Sequence, residues 1–371
     1  MKVLTVTHYP YLPDGALRPA GIETFFAWHD KALSGAGVAH ENFLVCRNHR
    51  QETFLASKKT HPPFTGEFRV YPSDYPVSFE HLLNIPLLRK RISKIFQDGK
   101  FDVAHANGEI YAMYRPKPLV THVHGTLNYA NLLSKGKGTP RHILSTLFSR
   151  KISQIAAKRS DIMIFNTKML SDIYPFDVRK KTIPHAIDIA SRCSPPPRKM
   201  RICSVARYIP LKNLDILINW FSFYVKKSRV PAELHLIGHG PLEQDLRRQA
   251  ISEGIGEKVF FYSLPNPRAV RKTLRKMSAV VSIEPGGVGY NGLEAMAEGV
   301  PMIALSNDCG CSWGAPVKRF SSAEEFLWAV ESLKPSDRAR ARKHVEKHHN
   351  SEKIFKMYIS AYKEAIELGS R

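Results

Sequence analysis

The chain has 371 residues, 43% of them hydrophobic, which allows two domains of ordinary size and excludes global disorder. Lysine and arginine number 55 against 33 aspartate and glutamate, a formal charge of +22 that favours anionic partners, and no apolar run reaches the roughly 20 residues that span a bilayer. Five scattered cysteines, Cys46, Cys193, Cys203, Cys309 and Cys311, form neither a disulfide framework nor a zinc pattern.

The first segment, KVLTVT (2–7), reads as a buried strand. It lacks the small-residue cleavage site of a signal peptide, so a cytoplasmic location is expected. A loop then ends in PAGIETFF, where Gly21 opens a helix whose N-terminus can meet an anion. FLVC (43–46), FDVAHA (101–106), PLVTHVH (118–124) and DIMIFN (161–166) continue the strands, with helices expected at 79–96 and 141–159. The first of these helices carries Leu87, Leu88, Ile92, Ile95 and Phe96 beside Arg89, Lys90, Arg91 and Lys94. That is the pattern of an amphipathic helix packed on a sheet, or of one that docks on a membrane. In PLVTHVH, alternation puts His122 and His124 on one face of the strand. No third metal ligand stands at useful spacing, so the end-of-strand histidine is either structural or part of a site.

A proline-rich break, SRCSPPPRKM (191–200), separates this series from a second. Its strands are RICSVA (201–206), ELHLIG (233–238), KVFFY (258–262), AVVSIE (279–284) and PMIAL (301–305), again with helices between. Regular alternation means parallel sheets with right-handed crossovers, an α/β fold of two doubly wound, Rossmann-like domains. Such domains carry their chemistry on loops at the carboxyl ends of the strands, here expected to face a central cleft.

Three loops of the second series hold candidate residues. In VARYIPLKNL, Arg207 and Lys212 leave a strand five residues apart, a cation pair suited to a diphosphate. In LIGHGPLEQ, the strand ends in Gly238-His239-Gly240-Pro241, with Pro241 near the first helical position and backbone groups exposed to read a base edge. The third, SIEPGGVGYNGLEAMAEGVPMIAL, runs from strand through glycine turn and helix to strand. Gly287, Gly289 and Gly292 spell G-x-G-x-x-G, and Asp308 follows 21 residues after the first glycine, the spacing of a dinucleotide fingerprint. Against an NAD reading, such a fingerprint usually opens a domain's first βαβ unit, and this one sits at about its fourth strand. Glu294, expected in the helix's first turn, is also better suited to ribose hydroxyls than to a pyrophosphate.

Taken in order, AGIE, HVHG, the R-x4-K pair, GHGPLE and GLEAMAEGVPMIA resemble the retaining glycosyltransferases of the GT-B fold, across nearly the whole chain. The resemblance implies a first, acceptor-binding domain over 1–192, a nucleotide-sugar-binding domain over 193–350, and a last helix, 351–371, returning to the first. It implies that Arg207 and Lys212 neutralise the diphosphate of a UDP-hexose donor. Glu294 then holds the ribose, Gly21 closes over the phosphates, and His124 meets the sugar near the reacting carbon. Gly287, Gly289, Tyr290 and Asn291, with His239 and Gly240, complete the donor site. The sequence contains no D-x-D motif, so the cations stand in for a metal and no cofactor beyond the donor is expected. The family usually has a glutamate eight residues before the Glu294 position, where this chain has Gly286. Glu284, two residues earlier, is the candidate to reach the sugar.

The acceptor is read from charge. Both parts of the chain, split at Ala190, carry +11, and nine cations with no acid lie between Met113 and Ser160. A membrane-docked enzyme needs one basic face, whereas an acceptor lying across both domains, such as DNA bearing a hydroxymethylated pyrimidine, draws on both. Arg47, Arg50, Lys58, Lys59, Lys135, Lys137 and Arg141, together with RARARKHVEKHH (338–349), are the candidates to line such a groove. The competing acceptor is a lipid or lipopolysaccharide at an anionic membrane. The readings from other classes are an NAD-type oxidoreductase and a non-catalytic nucleic-acid-binding protein.

Overall fold

All ten apolar runs expected as strands are strands, and all pair in parallel. The computed structural model describes residues 1–8, 21–45, 67–71, 85–114, 116–124, 140–189, 195, 197–264, 267–283, 289–305 and 314–369. The chain divides into two units, Met1–Ala186 with Ser351–Arg371, and Ile187–Asn350.

The first unit contains β1 (Lys2–His8), α1 (Gly21–Gly35), β2 (Ala39–Val45), β3 (Glu67–Tyr71), α2 (Ile85–Asp98), β4 (Val103–Ala106), β5 (Leu119–Val123), α3 (Pro140–Arg159), β6 (Ile162–Phe165), α4 (Lys168–Ile173) and β7 (Lys180–Thr182). Its seven strands run in the order β3-β2-β1-β4-β5-β6-β7. The second unit follows with β8 (Met200–Val205), α5 (Leu214–Lys227), β9 (Ala232–Ile237), α6 (Glu243–Ser252), β10 (Val259–Tyr262), α7 (Pro267–Leu274), β11 (Ala279–Ser282), α8 (Tyr290–Ala297), β12 (Met302–Leu305), β13 (Lys318–Phe320), α9 (Ala323–Glu331) and α10 (Pro335–His348). Its strand order is β10-β9-β8-β11-β12-β13. The last helix, α11 (Ser351–Gly369), belongs to the first unit.

Alternation in the first sheet separates two faces of different chemistry. Leu4, Val6, Phe43, Val45, Ala104, Ala106, Met163 and Phe165 join Ile92, Ile95 and Phe96 of α2 in one apolar core. The stripe of α2 is therefore spent on the sheet, while Arg89, Lys90, Arg91 and Lys94 stay exposed. Among the described residues no helix is long and apolar enough to cross a membrane.

The opposite face is equally buried but mixed, with Val3, Leu44, Val103, Val120, Ile162 and Ile164 beside polar side chains. His105 and His122 point from it toward α1 and α11, which supply Phe25, His29, Tyr358 and Tyr362. The Tyr362 hydroxyl lies 2.6 Å from His29 Nε2 and 2.9 Å from His105 Nδ1, and the two imidazoles stack at 4.6 Å. Phe25 meets His122 edge-on at 4.3 Å. A buried imidazole is cheap only when neutral. Burial pushes His29 and His122 from the ordinary 6.5 down to about 3, and His105 well below its ordinary value. His122, one of the two histidines singled out in PLVTHVH, is thus a core residue held by Asn166 Oδ1 at 2.8 Å.

The basic run 338–349 is a correction to the charge reading. It forms most of α10, and the structure turns two of its arginines inward. Arg338 is buried and donates to the Met277 carbonyl at 3.0 Å, and Arg342 donates to the Ala297 carbonyl at 2.9 Å. These guanidiniums satisfy main-chain oxygens beyond α7 and at the end of α8, as helix C-termini require.

Because the folded histidines titrate below their unfolded value, the unfolded chain binds more protons between about pH 3 and pH 6.5. Stability of the first unit is therefore complete above pH 6.5 and falls as pH drops through that window, by up to about 1.4 kcal/mol per pH unit for each imidazole. Urea unfolding followed by Trp28 fluorescence, with Trp220, Trp313 and Trp328 changed to Phe, should show this slope. His122→Gln should flatten it.

Candidate active site

The carboxyl ends of β8 and β11 and the start of α8 border a small pocket open to solvent. Ser204, Val205, Ala206, Lys212, Ser282, Ile283, Gly289 and Asn291 are among its walls. Each is placed by a local device. After β8 the chain makes a short turn, Pro210–Lys212, and Asn213 takes a left-handed conformation (φ 49°) before α5. The Asn213 amide donates to the Ile283 carbonyl at 3.2 Å, tying this turn to the end of β11. Asn291, in the first turn of α8, donates to the Val205 carbonyl at 2.8 Å and ties the helix start to β8.

Lys212 therefore sits partly buried in the pocket wall. Burial, and then the Arg207 guanidinium, lower its ammonium from 10.5 to about 8. Arg207 is exposed. Gly289 caps α8, whose first amides and positive dipole end open beside Lys212. Glu294 is one turn further along than expected, because the helix begins at Tyr290. It lies outside the dipole's stabilising first turn, and burial lifts its carboxyl from 4.5 to about 7. Arg271 opposes that rise and Glu298 adds to it. Glu298 is fully buried and ionically held by Arg271 at 2.6 Å and Arg275 at 2.6 Å. Tyr290 is buried beside these groups, and its phenol is pushed well above its ordinary value by burial and by Glu294.

The next loop is shaped by two glycines. Gly238 and Gly240 have φ of 155° and 158°, and a side chain at Gly238 would stand 1.9 Å from the Ala206 carbonyl oxygen. This close approach lets the Tyr208 amide donate to the His239 carbonyl at 2.9 Å, zipping the loops after β8 and β9 together. His239 projects into solvent. Helix α6 starts at Glu243, two residues beyond Pro241.

In the first unit, His124 stands at the carboxyl edge of the sheet, partly exposed, its ring centroid 3.9 Å from that of His122. Its Nε2 is hydrogen-bonded to Asn107 Oδ1. Gly21 is the first residue of α1.

Two family models match the chain in succession. Residues 21–191 match "Glycosyltransferase Family 4", and residues 191–312 match "Glycosyl transferases group 1". The chain is a GT-B glycosyltransferase. No curated protein matches it in sequence. Solved structures share its fold at low identity. TarM of S. aureus, in complex with fondaparinux, alpha-GlcNAc-glycerol and UDP, is 12% identical over 97% of this chain and 99% of its own, with a TM-score of 0.74. HepE of Anabaena, in complex with UDP and glucose, is 17% identical over 98% and 99%, with a TM-score of 0.71. The lipopolysaccharide outer core galactosyltransferase WaaB is 15% identical over 97% and 99%, with a TM-score of 0.69.

Of the transferase's expected donor residues, Lys212, Gly289 and Asn291 line one pocket, with Arg207 acting on Lys212 and Glu294 a turn beyond. Tyr290, His239 and Gly240 flank it on α8 and on the β9 loop. Glu284, Gly286, Gly287 and Asp308 lie outside the described residues, as do Arg47, Arg50, Lys58, Lys59, Lys135 and Lys137, and only the backbone of Arg141 is described. Among the described residues no group of three histidine, cysteine or acidic side chains is placed to hold a metal ion. Cys203 is a free, buried thiol raised by burial, and the other cysteines lie outside the described residues.

Sequence reasoning missed Asn213, Ser282 and Asn107. Only Asn213 carried a usable signal, an asparagine just before a helix.

Gly238→Ala forces a Cβ into a backbone oxygen in a conformation that L-residues avoid. It should destabilise the second unit by about 2–4 kcal/mol in urea unfolding read by Trp220 fluorescence. Gly254→Ala, also at positive φ but with open space around it, should cost about 1 kcal/mol.

Proposed function

We propose that this transferase moves a hexose, with retention, from a UDP-sugar to a hydroxyl of an anionic glycan or glycolipid, without a metal ion. The second unit holds the donor and the first the acceptor. The observation that carries the reading is the placing of Lys212, with Arg207 beside it, in a pocket facing the N-terminus of α8. One ammonium and the first amides of a helix share a pocket wall, with a guanidinium close enough to act on that ammonium, a set of groups suited to a diphosphate. The His239–Gly240 loop offers backbone groups to the base, and Glu294 a carboxylate to the ribose. Gly21, the first residue of α1, is assigned to the donor phosphates. Tyr290 and Asn291 set the entry of α8, and Glu284 is assigned to the sugar hydroxyls in place of the acid absent at Gly286.

The reaction breaks the bond from the anomeric carbon to the diphosphate oxygen, and the electron pair leaves with the phosphate. Lys212, Arg207 and the helix amides stabilise that growing negative charge. The acceptor hydroxyl bonds to the same face of the anomeric carbon and gives its proton to the departing phosphate oxygen. His124 is the residue assigned to the sugar near the reacting carbon. Fixed cations perform the service that a divalent ion performs elsewhere, so activity should survive EDTA.

The anionic glycan or glycolipid is favoured over DNA by two observations. The proteins with this fold include a lipopolysaccharide outer core galactosyltransferase and one crystallised with fondaparinux, alpha-GlcNAc-glycerol and UDP. In addition, Arg338 and Arg342, part of the charge that pointed to a duplex, serve main-chain carbonyls inside the second unit.

The donor kcat/KM should be bell-shaped in pH. It rises as Glu294 ionises through about 7 and falls as Lys212 loses its proton above about 8. Glu294→Gln should remove the acid limb. Lys212→Ala should remove the basic limb and lower kcat/KM by roughly 10²–10³.

The acceptor is tested with radiolabelled UDP-hexoses offered to lipopolysaccharide and lipid extract, unmodified DNA and hydroxymethylated duplex DNA in parallel. Label in the glycolipid fraction alone is expected. Label in hydroxymethylated DNA alone would replace that acceptor with the base, and label in none, with no UDP binding, would overturn the donor assignment.

A further inference from the structure

The carboxyl edge of the first sheet carries a line of polar side chains that leads from the interior to one partly exposed imidazole. β4 ends at Ala106, and the next residue, Asn107, is fully buried. Its backbone amide donates to the Val6 carbonyl at 2.9 Å, which continues the β1–β4 ladder by one residue and locks the position. Its side-chain amide donates to Thr7 Oγ1 at 3.0 Å. That donation turns Oδ1 toward His124 Nε2. A carbonyl oxygen only accepts, so Nε2 carries a proton, and in the neutral form of the ring the lone pair lies on Nδ1. Phe25 of α1 meets the same ring edge-on at 5.0 Å, and the His122 ring lies 3.9 Å away on its other neighbour strand position.

We propose that Asn107, backed by Thr7, is the positioning residue for His124, fixing the tautomer and direction of that ring at the sheet edge. The proposal rests on the reading of His124 as the group beside the reacting sugar. Three observations support it beyond simple satisfaction of a buried amide. The line of bonds runs outward, from buried Thr7 and Asn107 to a ring partly open to solvent. It ends at the strand termini where parallel α/β sheets place ligands. It also uses an acceptor rather than a carboxylate, so it directs the ring without adding charge beside a sugar whose transition state is already polarised. The pair is invisible to a reading of either residue alone, because 17 positions separate them in the chain.

The test uses the full chain with ¹⁵N-labelled histidine, and slow UDP-glucose hydrolysis as the assay, since this needs no acceptor. Wild type should show His124 as the Nε2–H tautomer in long-range ¹H–¹⁵N spectra, and Asn107→Ala should mix the two tautomers. The same variant should lower the hydrolytic kcat about tenfold or more while leaving the Kd for UDP unchanged. Asn107→Ala combined with His124→Ala should be no slower than His124→Ala alone, because a residue that acts only through another adds nothing once the other is gone. Asn107→Asp, which keeps an acceptor facing Nε2, should recover part of the rate. Thr7→Val should reproduce the loss in weaker form, and it carries the test if Asn107→Ala does not fold.

An Nδ1–H tautomer in wild type, multiplicative losses in the double variant, or a loss confined to UDP affinity would each overturn the proposal. If wild type binds UDP and hydrolyses UDP-glucose but His124→Ala is as fast as wild type, the role given to His124 falls and the positioning role with it. If Asn107→Ala is as fast as wild type while His124→Ala is slow, only the positioning role falls.

Discussion

An ammonium group partly buried in a pocket wall and near a guanidinium carries a cost of desolvation and repulsion. The displacement of Lys212 from 10.5 to about 8 measures that, on the order of 3 kcal/mol at neutral pH. A protein can hold such a group only if the surrounding backbone is fixed independently of it. In this chain the fixing is done by uncharged contacts. Asn213 reaches the end of β11, Asn291 reaches the end of β8, and the glycines of the β9 loop let Tyr208 bond to its backbone. The buried Tyr208 hydroxyl donates to the Leu236 carbonyl at 2.9 Å, adding a side-chain tie to the same junction. Each of these acts at or near a strand terminus of one parallel sheet, so the ends of β8, β9 and β11 are tied to the loops around the cation.

The first unit meets a different constraint. One face of its sheet is apolar, and the other buries His29, His105 and His122 under α1 and α11. An all-apolar layer would pack there without hydrogen-bond requirements. The polar layer instead specifies where α11 lies, since Tyr358 and Tyr362 find partners only in one register along His122, His105 and His29. At the edge of the same layer the polar series continues through Asn107 to His124. Structural and candidate reactive histidines thus belong to one stack, distinguished by depth: His122 is buried and His124 is partly open.

Much of this was legible in the sequence. Strands of a parallel sheet are buried on both faces and read as continuous apolar runs, so the nine interior strands stood out, and the edge strand β10 with them because VFFY is apolar throughout. The strands that escaped, β3, β7 and β13, lie at sheet edges. KKT and KRF hold too few apolar residues to mark a period. The donor loops were legible because glycine, proline and paired cations at strand ends have few other uses. Glu294 was placed a turn early because the cap, Gly289, cannot be told from its glycine neighbours by composition. Alternation put His122 and His124 on one face, but depth of burial depends on α1 and α11, which are far away in sequence. Asn107 was out of reach for the same reason.

Net charge was the least transferable signal, and the arginines show why. Arg159 donates to the Met113 carbonyl at 2.7 Å, Arg338 to that of Met277 and Arg342 to that of Ala297, while Arg271 and Arg275 enclose buried Glu298. A guanidinium has five donors in a plane and stays charged, so it is suited to closing the carbonyl ends of helices in a fold with many helix termini. Lysine can do the same with its three donors, as Lys180 does at the end of α4, donating to the carbonyls of Ser171 and Tyr174 at 3.0 and 2.8 Å. A basic α/β protein can therefore spend a large share of its arginines on its own backbone, and the field seen by a partner comes from those left outside. On α10 the outside set is Arg340, Lys343 and Lys347, and on α2 it is Arg89, Lys90, Arg91 and Lys94.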